Sequence, residues 1–306
     1  MLRFLAIRLL RAIVTMFLVL VIAFLTLRLS GTPFEQMYPE GLTPEMEAAL
    51  MAKWGLDRPL HEQFVAYLSQ IARGDFGRSI DSREHVVAIY ADKMPYTLAI
   101  GGLALALSIF IGIPLGALAA LYRTSPATRA GMGLAFLGYA MPHFVIGIGM
   151  ILVFGYYGRL LPTTGLDTAR HYILPVVTLA IPMIAGLARF MRASMLDVIS
   201  HPHVVTAVAK GVPPGQVIRG HLLRNAMLPL VTVIGLEVAG ILNGSIFVET
   251  VFSLPGVGRV LVGAVEARDF PVLQFGMIAY AAIVVTVNLL VDLAYVLADP
   301  RVRLEE

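Results

Sequence analysis

The sequence has 306 residues, of which 58% are hydrophobic and 14% charged, with a net charge of +3 and no cysteine. Soluble domains carry about a quarter charged residues, and the fraction of surface that a chain can bury grows only slowly with its length. The composition therefore excludes a soluble enzyme, a disordered chain and a disulfide-stapled secreted module, and it indicates an integral membrane protein.

Six stretches are long and apolar enough to cross a bilayer, which takes roughly 20 residues. In chain order they are Leu9–Leu29, Thr97–Leu121, Ala130–Tyr156, Ile173–Met191, Leu228–Phe247 and Val272–Ala298. The first is predicted to be a retained helix, because its apolar run is long for a signal peptide and no Ala-x-Ala-like site follows it. Pro142 interrupts the third, where we predict one continuous, kinked helix in preference to two half-helices.

The distribution of lysine and arginine predicts the orientation of these spans. With the N-terminus in the cytoplasm, the inner flanks carry a clear excess of basic residues, whereas the outer segments carry slightly more acidic than basic residues. Both termini are therefore predicted to be cytoplasmic. The basic net charge follows from this topology, so no nucleic-acid partner is predicted, and the lipid bilayer is the first expected partner.

Residues 30–96 form a polar insertion that is too long for a simple turn. Thr43 is a typical N-cap for a helix that Gly55 ends. A second, amphipathic helix is predicted from apolar residues that share one side, which are Leu60, Phe64, Tyr67, Leu68 and Ile71. Ser82 is predicted to cap a third short helix that leads to Pro95. The insertion should thus be helical and ordered on the outer face.

Sequence motifs for catalysis and nucleotide binding are absent. There is no phosphate-binding G-x-x-x-x-G-K-[ST] loop, no H-E-x-x-H and no G-x-S-x-G. The pair His201 and His203 lacks an obvious carboxylate partner, so a solvated loop is favoured over a metal site. We predict no catalytic residues, no metal and no cofactor bound by this chain.

Small residues recur at a spacing that lets membrane helices approach closely. Gly112 and Gly116 form one such step in the second span, and Gly240 and Gly244 form another in the fifth. Tight helix packing is the predicted role of both steps.

Polar side chains within the spans are costly in lipid, and they normally face the bundle interior or a cavity. Glu237 and Asn243 are candidates for the lining of a solute path, although their spacing does not place them on one narrow stripe. Asn288 and Asp292 are candidates for a polar lock between helices. The alternative is an ion-coupled secondary transporter that uses Glu237 and Asp292 as ion or proton sites.

The loop at residues 192–227 is the most informative polar stretch. Ser200 can cap a short helix, Pro202 fits its first turn and Gly211 can end it. The run from Val204 to Ala209 is too apolar to stand free in water. It is therefore expected to be covered by the bundle or by a second protein.

Several segments, in chain order from residue 55 to the C-terminal end, resemble the B-type permease subunit of binding-protein-dependent ABC transporters of the dipeptide/oligopeptide/nickel class, including its EAA-type loop. They are Gly55–Leu60 (GLDRPL), Gly74–Gly77 (GDFG), Met191–Leu196 (MRASML), Thr206–Gly211 (TAVAKG), His221–Pro229 (HLLRNAMLP), Phe247–Gly258 (FVETVFSLPGVG), Arg268–Pro271 (RDFP), Asn288–Asp292 (NLLVD) and Asp299–Arg301 (DPR).

The resemblance implies an all-α membrane protein with the six-helix, type-I ABC importer permease fold in a bacterial inner membrane. It divides the chain into a first helix at 1–29, a periplasmic insertion at 30–96, a five-helix core at 97–298 with a coupling loop at 192–227, and a cytoplasmic tail at 299–306. The residues implied in coupling to an ATPase are Val205, Thr206, Ala207, Lys210 and Gly211.

The resemblance also implies the partners. They are a homologous second permease subunit in a heterodimer, two cytoplasmic ATPase subunits that use ATP and magnesium, and a periplasmic solute-binding protein. Peptides are the expected cargo of this class, with nickel chelates, glutathione and opines as the alternatives. Glu237 stands where the class more often has glutamine.

Overall fold

The computed structural model describes residues 2–29, 31, 34, 38 and 40–298, and the side chains of all of these except 2–5 and 294–298. The α-helices longer than one turn in the described chain are α1 (Leu2–Leu29), α2 (Pro44–Trp54), α3 (Leu60–Ala72), α4 (Val86–Leu121), α5 (Pro126–Ala140), α6 (His143–Met150), α7 (Ala169–Ile199), α8 (Pro202–Ala209), α9 (Arg224–Val251), α10 (Val257–Glu266) and α11 (Phe270–Ala298). The π-helical segments Ile151–Tyr157 and Val217–Leu223 extend α6 and precede α9. The expected tail at 299–306 lies outside the described residues.

The membrane spans agree with an all-α, multi-pass protein. Five continuous stretches of the described chain are long and apolar enough to cross a bilayer, and they are Ala6–Leu29, Val86–Leu121, Ala169–Ile199, Pro214–Val251 and Phe270–Leu293. A sixth span is completed only when α5 and the helix that follows it are counted together. The prediction of an all-α membrane fold with six spans is confirmed in this sense.

The prediction of a continuous third span is wrong. Helix α5 and the helix at His143–Tyr157 meet at an angle of 109°. Met141 is extended, with φ −87° and ψ 131°, and Pro142 has ψ 143°. Proline disfavours the helical conformation of the residue before it and also lacks an N–H, so two consecutive extended residues replace a kink with a full break.

The chain forms two compact units, and the first consists of Met1–Met94 and Val260–Val285. It contains α1, the two helices of the insertion and the beginning of α11. Phe24 lies against Phe64 and Tyr67, with ring centroids 5.2 and 5.7 Å apart, so α3 packs its aromatic side on α1.

The first two helices of the insertion form as the sequence predicts. The Met46 N–H donates to Thr43 Oγ1 at 3.3 Å, which caps α2 at its start. Gly55 ends the same helix in the left-handed conformation, with φ +65°. The amphipathic α3 is also confirmed, since Leu60–Ala72 is helical.

The third helix of the insertion differs from its prediction. Helix α4 begins only at Val86 and runs through Pro95 without a break, so Ser82 is not its cap. The preceding residues are held in another conformation, because Asp269 accepts hydrogen bonds from Ser79 Oγ at 2.5 Å and from the Ile80 N–H at 3.1 Å. A long-range carboxylate contact therefore overrides the local capping signal.

The second unit consists of Pro95–Arg259 and Thr286–Glu306, and α7 lies at its centre. The largest fully buried side chains of α7 are Leu174, Leu179, Leu187, Met191 and Met195. Gly112 and Gly116 bring α4 against the backbone of this helix, at Ile184 and Ala188. In the second glycine step only Gly244 packs closely, against Leu179, whereas Gly240 has open space beside it.

Replacing Gly116 by alanine is expected to destabilise the second unit by roughly 1–3 kcal/mol, because the new methyl group collides with the Ala188 carbonyl and Met191. The midpoint of thermal unfolding of the purified chain in detergent measures this effect. Gly102→Ala is the matched control in the same helix, since no atom lies within 4 Å of its added methyl group. An equal loss in both variants would contradict close packing as the role of Gly116.

Candidate functional site

Helix α8 is positioned by the residues at its two ends. Pro202 occupies its first position, and His201 precedes it in an extended conformation. At the other end Gly211 is left-handed, with φ +75°, and the Val212 N–H donates to Ala207 O at 3.1 Å. The start and stop predicted from Pro202 and Gly211 are confirmed.

The capping role predicted for Ser200 is wrong. Its hydroxyl donates to Asp197 O at 2.7 Å, so Ser200 belongs to the C-terminal end of α7. The N-cap position of α8 is occupied by His201, whose side chain makes no capping hydrogen bond. A serine between two helices can hydrogen-bond to the backbone of either one, and Ser200 bonds to the helix before it.

Helix α8 has a buried and an exposed apolar side. Val204 and Ala207 are buried in a cluster with Met191, Met195 and Leu222. Val205 and Val208 are 58% and 60% exposed. We call the exposed pair Val205 and Val208 the docking face. The bundle thus covers one side of the apolar run and leaves the docking face exposed.

The other residues implied in coupling lie around the docking face. Thr206, Lys210 and Gly211 are exposed, and the Thr206 hydroxyl donates to Pro202 O at 2.8 Å. Ala207 differs from them because it is buried against the bundle, so it can anchor the helix but cannot form an external contact in this structure.

The segment around α8 is packed against both long helices of the second unit. Ser194 Oγ of α7 donates to Ala226 O of α9 at 2.9 Å. Asn225 Nδ2 donates to His221 O at 2.7 Å and lies 3.3 Å from His203 Nε2. These contacts join the segment around α8 to α7 and α9.

A cavity with a volume of about 440 Å³ lies between the break at Pro142, α7 and α9, and we call it the central cavity. Its lining residues are Tyr139, Ala140, Met141, Pro142, His143, Leu179, Pro182, Met183, Glu237, Gly240, Ile241, Asn243, Gly244 and Phe247. Glu237 and Asn243 therefore face one cavity, although they do not share a narrow stripe on α9. A methyl group on Gly186 would lie 3.2 Å from Glu237 Oε1, so this glycine leaves room for the carboxylate.

The two candidates for a helix lock lie elsewhere. Asn288 is exposed and Asp292 is half-buried, and neither lines the central cavity. Val291, between them and next to Asp292, packs where Gly235 lets α11 approach α9. The locking role of Asn288 and Asp292 remains a prediction.

The sequence reasoning missed Glu249, the most deeply buried charged residue among those described. The predicted fifth span ends at Phe247, whereas α9 continues to Val251 and buries Glu249 completely. Its Oε1 accepts from Thr97 Oγ1 at 2.6 Å, and its Oε2 accepts from the Arg259 N–H at 3.2 Å. Thr97 Oγ1 in turn accepts from the Val257 N–H at 2.9 Å.

We call the group Thr97, Glu249, Val257 and Arg259 the carboxylate network. It ties α4 to the end of α9 and to the start of α10. Side chains at Gly256 or Gly258 would collide with the Glu249 carboxylate. The sequence signal for this network was a glutamate followed closely by Pro255-Gly256-x-Gly258, at the edge of an apolar run.

Two family comparisons cover nearly the whole chain. Residues 112–304 match the family described as "Binding-protein-dependent transport system inner membrane component". Residues 1–101 match the family described as "Binding-prot-dependent transport system membrane comp, N-term".

Curated relatives align over most of their length. The chain is 38% identical to the probable peptide ABC transporter permease protein y4tP of Sinorhizobium fredii, over 97% of each chain. It is 38% identical to the dipeptide transport system permease protein DppB of Escherichia coli K12, covering 89% of this chain and 90% of the relative. It is 39% identical to the glutathione transport system permease protein GsiC of Escherichia coli K12, over 99% of each chain.

Solved structures show the same fold at low identity. The inward-facing MetNI methionine ABC transporter superimposes with a TM-score of 0.59 at 17% identity, over 70% of this chain and 97% of the solved chain. An amino acid ABC transporter superimposes with a TM-score of 0.57 at 16% identity, over 68% of this chain and 94% of the solved chain. These neighbours establish the type-I importer permease fold.

Proposed function

The chain belongs to the family of inner membrane components of binding-protein-dependent transport systems, and from this premise we propose that its cargo is a di- or oligopeptide. It is the permease subunit of such an importer. Peptide cargo is supported by the names of relatives at 38–39% identity, which refer to peptide, dipeptide and glutathione transport, glutathione being itself a tripeptide. Nickel chelates and opines are the less favoured cargoes.

The central cavity supports a role in the solute path. The Glu237 carboxyl group offers acceptor oxygens for the N–H groups of a peptide, and the Asn243 amide offers a donor and an acceptor for a peptide bond. Since a homologous second permease is the expected partner, we propose that this chain lines half of the path. Asn288 and Asp292 then hold helices together away from it.

The docking face is the observation that carries the coupling part of the proposal. A short helix with one apolar side buried in its own bundle and the other exposed fits the groove of a second protein. We propose that the second protein is one of two ATPase subunits, which bind ATP and magnesium. Val205, Thr206, Lys210 and Gly211 then contact the ATPase, and Ala207 fixes the helix to the permease.

The proposed topology assigns each polar region to one side of the membrane. With both termini in the cytoplasm, the first helix at 1–29 leads to an insertion at 30–96 on the periplasmic side, where the solute-binding protein docks. The coupling loop at 192–227, which is part of the core at 97–298, lies in the cytoplasm beside the ATPases. The tail at 299–306 is cytoplasmic as well. The chain itself contributes no catalysis and binds no cofactor.

Uptake by the importer reconstituted in liposomes is expected to require ATP and the binding protein. The uptake rate of the Glu237→Gln variant is expected to stay within about threefold of the wild-type rate. Glutamine keeps the shape and one acceptor oxygen of Glu237, replaces the other oxygen with an NH₂ group and removes the charge. The measurement is ATP-dependent accumulation of a labelled dipeptide, with and without a proton or sodium gradient.

The same assay distinguishes the ion-coupled alternative. Uptake that runs on an ion gradient without ATP, and that is lost in Glu237→Gln, would support a secondary transporter and overturn the proposal. Accumulation of a nickel chelate or an opine, with no accumulation of peptides, would support the permease function and contradict the proposed peptide cargo.

A further inference from the structure

A groove lies entirely within the first unit, between α1 and α11, and we call it the apolar groove. It has a volume of about 310 Å³, and its walls are formed by residues of α1 between Thr15 and Ala23 and by residues of α11 between Met277 and Val285. Thr15 and Tyr280 carry hydroxyls, whereas every other side chain of the walls is apolar. The proposed solute path does not use this groove.

The helices that form the apolar groove are mostly exposed. Only 11% of the most apolar stretch of α1 is buried by the described chain, and the share for α11 is the same. At the groove itself, the side chain of Ile22 is 60% exposed and that of Tyr280 is 39% exposed. Both helices are long and apolar enough to cross a bilayer, so the apolar groove lies at the depth of the lipid chains.

The length of the apolar groove matches one leaflet of a bilayer. Thr15 and Ala23 are eight residues apart on α1, which corresponds to about 12 Å along the helix axis. The hydrocarbon core of a bilayer is about 30 Å thick, so one leaflet accounts for about 15 Å of it. A single acyl chain of a phospholipid therefore extends over about the same distance as the groove.

Arg11 lies beside the end of the apolar groove that begins at Thr15. It precedes Thr15 by four residues, so the two share one side of α1, and its side chain is exposed. Arg11 is about 26 Å along α1 from Arg28, so the two arginines bracket most of the hydrocarbon core. This places Arg11 near the level of the phosphate groups, to which a guanidinium donates charge-assisted hydrogen bonds.

A helix of a second protein fits the apolar groove less well than an acyl chain does. Membrane helices pack closely where small residues recur along one side. Helix α1 contains no glycine, and the large side chains of Phe17, Leu18 and Ile22 are exposed on it. A flexible acyl chain can follow such an uneven surface, whereas a rigid helix would leave voids beside it.

We propose that the apolar groove binds one acyl chain of an anionic phospholipid and that Arg11 binds its phosphate. The apolar walls hold the chain whatever the headgroup, and Arg11 adds a preference for a headgroup with a net negative charge. With the N-terminus in the cytoplasm, as in the proposed topology, this lipid belongs to the cytoplasmic leaflet. The binding itself depends neither on that orientation nor on the cargo.

The test of the headgroup is the most tightly held lipid of the complete transporter, identified by native mass spectrometry. The transporter is incubated in detergent with equal amounts of dioleoyl phosphatidylglycerol and dioleoyl phosphatidylcholine. The wild type is expected to retain phosphatidylglycerol in preference by about fivefold. Arg11→Gln is expected to retain both lipids equally. Arg129→Gln is the matched control, an exposed arginine at the start of α5, and it should keep the preference.

The test of the groove is Val19→Phe, in which a larger side chain fills the space of the acyl chain. This variant is expected to lose the tightly held lipid. Val14→Phe is its matched control, since Val14 is 49% exposed on the same helix and lies outside the groove. Because Arg11→Gln leaves the walls unchanged, it tests the inference even if Val19→Phe fails to fold.

Three results would overturn the inference. The first is equal retention of the two lipids by the wild type, and the second is unchanged retention by a folded Val19→Phe variant. The third is a photo-cross-link from benzoylphenylalanine at position 284, in the wall of the groove, to a second permease subunit instead of to lipid. That result would assign the groove to the subunit interface.

Discussion

Replacing both Val205 and Val208 by aspartate is expected to detach the ATPase subunits and to reduce ATP-dependent uptake by on the order of hundredfold or more. In the proposed complex the docking face enters an apolar groove, where a carboxylate loses its hydration without gaining a partner. The effective penalty is several kcal/mol for each ion. The permease itself should fold normally, because both side chains point away from the bundle and Val204 and Ala207 still hold the helix.

Copurification of the ATPases with the tagged permease and uptake into liposomes are the two measurements. Val65→Asp is the matched control, since Val65 is 64% exposed on a helix of the insertion and has no expected contact with an ATPase. It should leave copurification unchanged. Wild-type recovery of the ATPases with the double variant would contradict the docking face as the coupling site.

Replacing Thr97 by valine is expected to destabilise the second unit by about 2–5 kcal/mol. The substitution preserves the shape of the side chain but removes the hydroxyl that donates to Glu249 and accepts from the Val257 N–H. Both groups are buried, so water cannot replace the hydrogen bonds that they lose. The loss of one oxygen thus leaves a carboxylate and a backbone donor incompletely paired.

The midpoint of thermal unfolding in detergent, measured at one protein concentration, tests this expectation. Thr97→Ser is the control, because serine keeps the hydroxyl and should cost less than about 1 kcal/mol. Equal stabilities of the serine and valine variants would mean that the hydroxyl contributes nothing and that the carboxylate network does not stabilise the chain.

The features that the sequence predicted well depend on local physics. Thr43 and Gly55 bound α2 because capping uses only neighbouring backbone groups. The amphipathic pattern of α3 and the length of the apolar spans are equally local. The apolar run of α8 predicted a cover, and the bundle buries Val204 and Ala207 while Val205 and Val208 stay exposed. Cover of the exposed pair by a second protein stays a prediction.

The features that it missed depend on distant partners or on competing local signals. Asp269 determines the conformation near Ser82, and it lies far away in the sequence. Glu249 was overlooked because its partner Thr97 belongs to another helix. Pro142 was interpreted as a kink because periodicity shows that a proline interrupts a helix but does not show by how much the following segment turns.

The break at Pro142 has a consequence for what fills the central cavity. The ends of helices leave N–H and C=O groups that no residue of the same helix satisfies, and Met141 and Pro142 add extended backbone between two such ends. Irregular backbone at membrane depth is tolerated only where protein covers it or where it borders water. Ala140, Met141, Pro142 and His143 line the cavity beside Glu237, so this irregular backbone borders open space. If the cavity is part of the solute path that we propose, a peptide that crosses it exchanges its hydrogen bonds with water for hydrogen bonds with these polar groups.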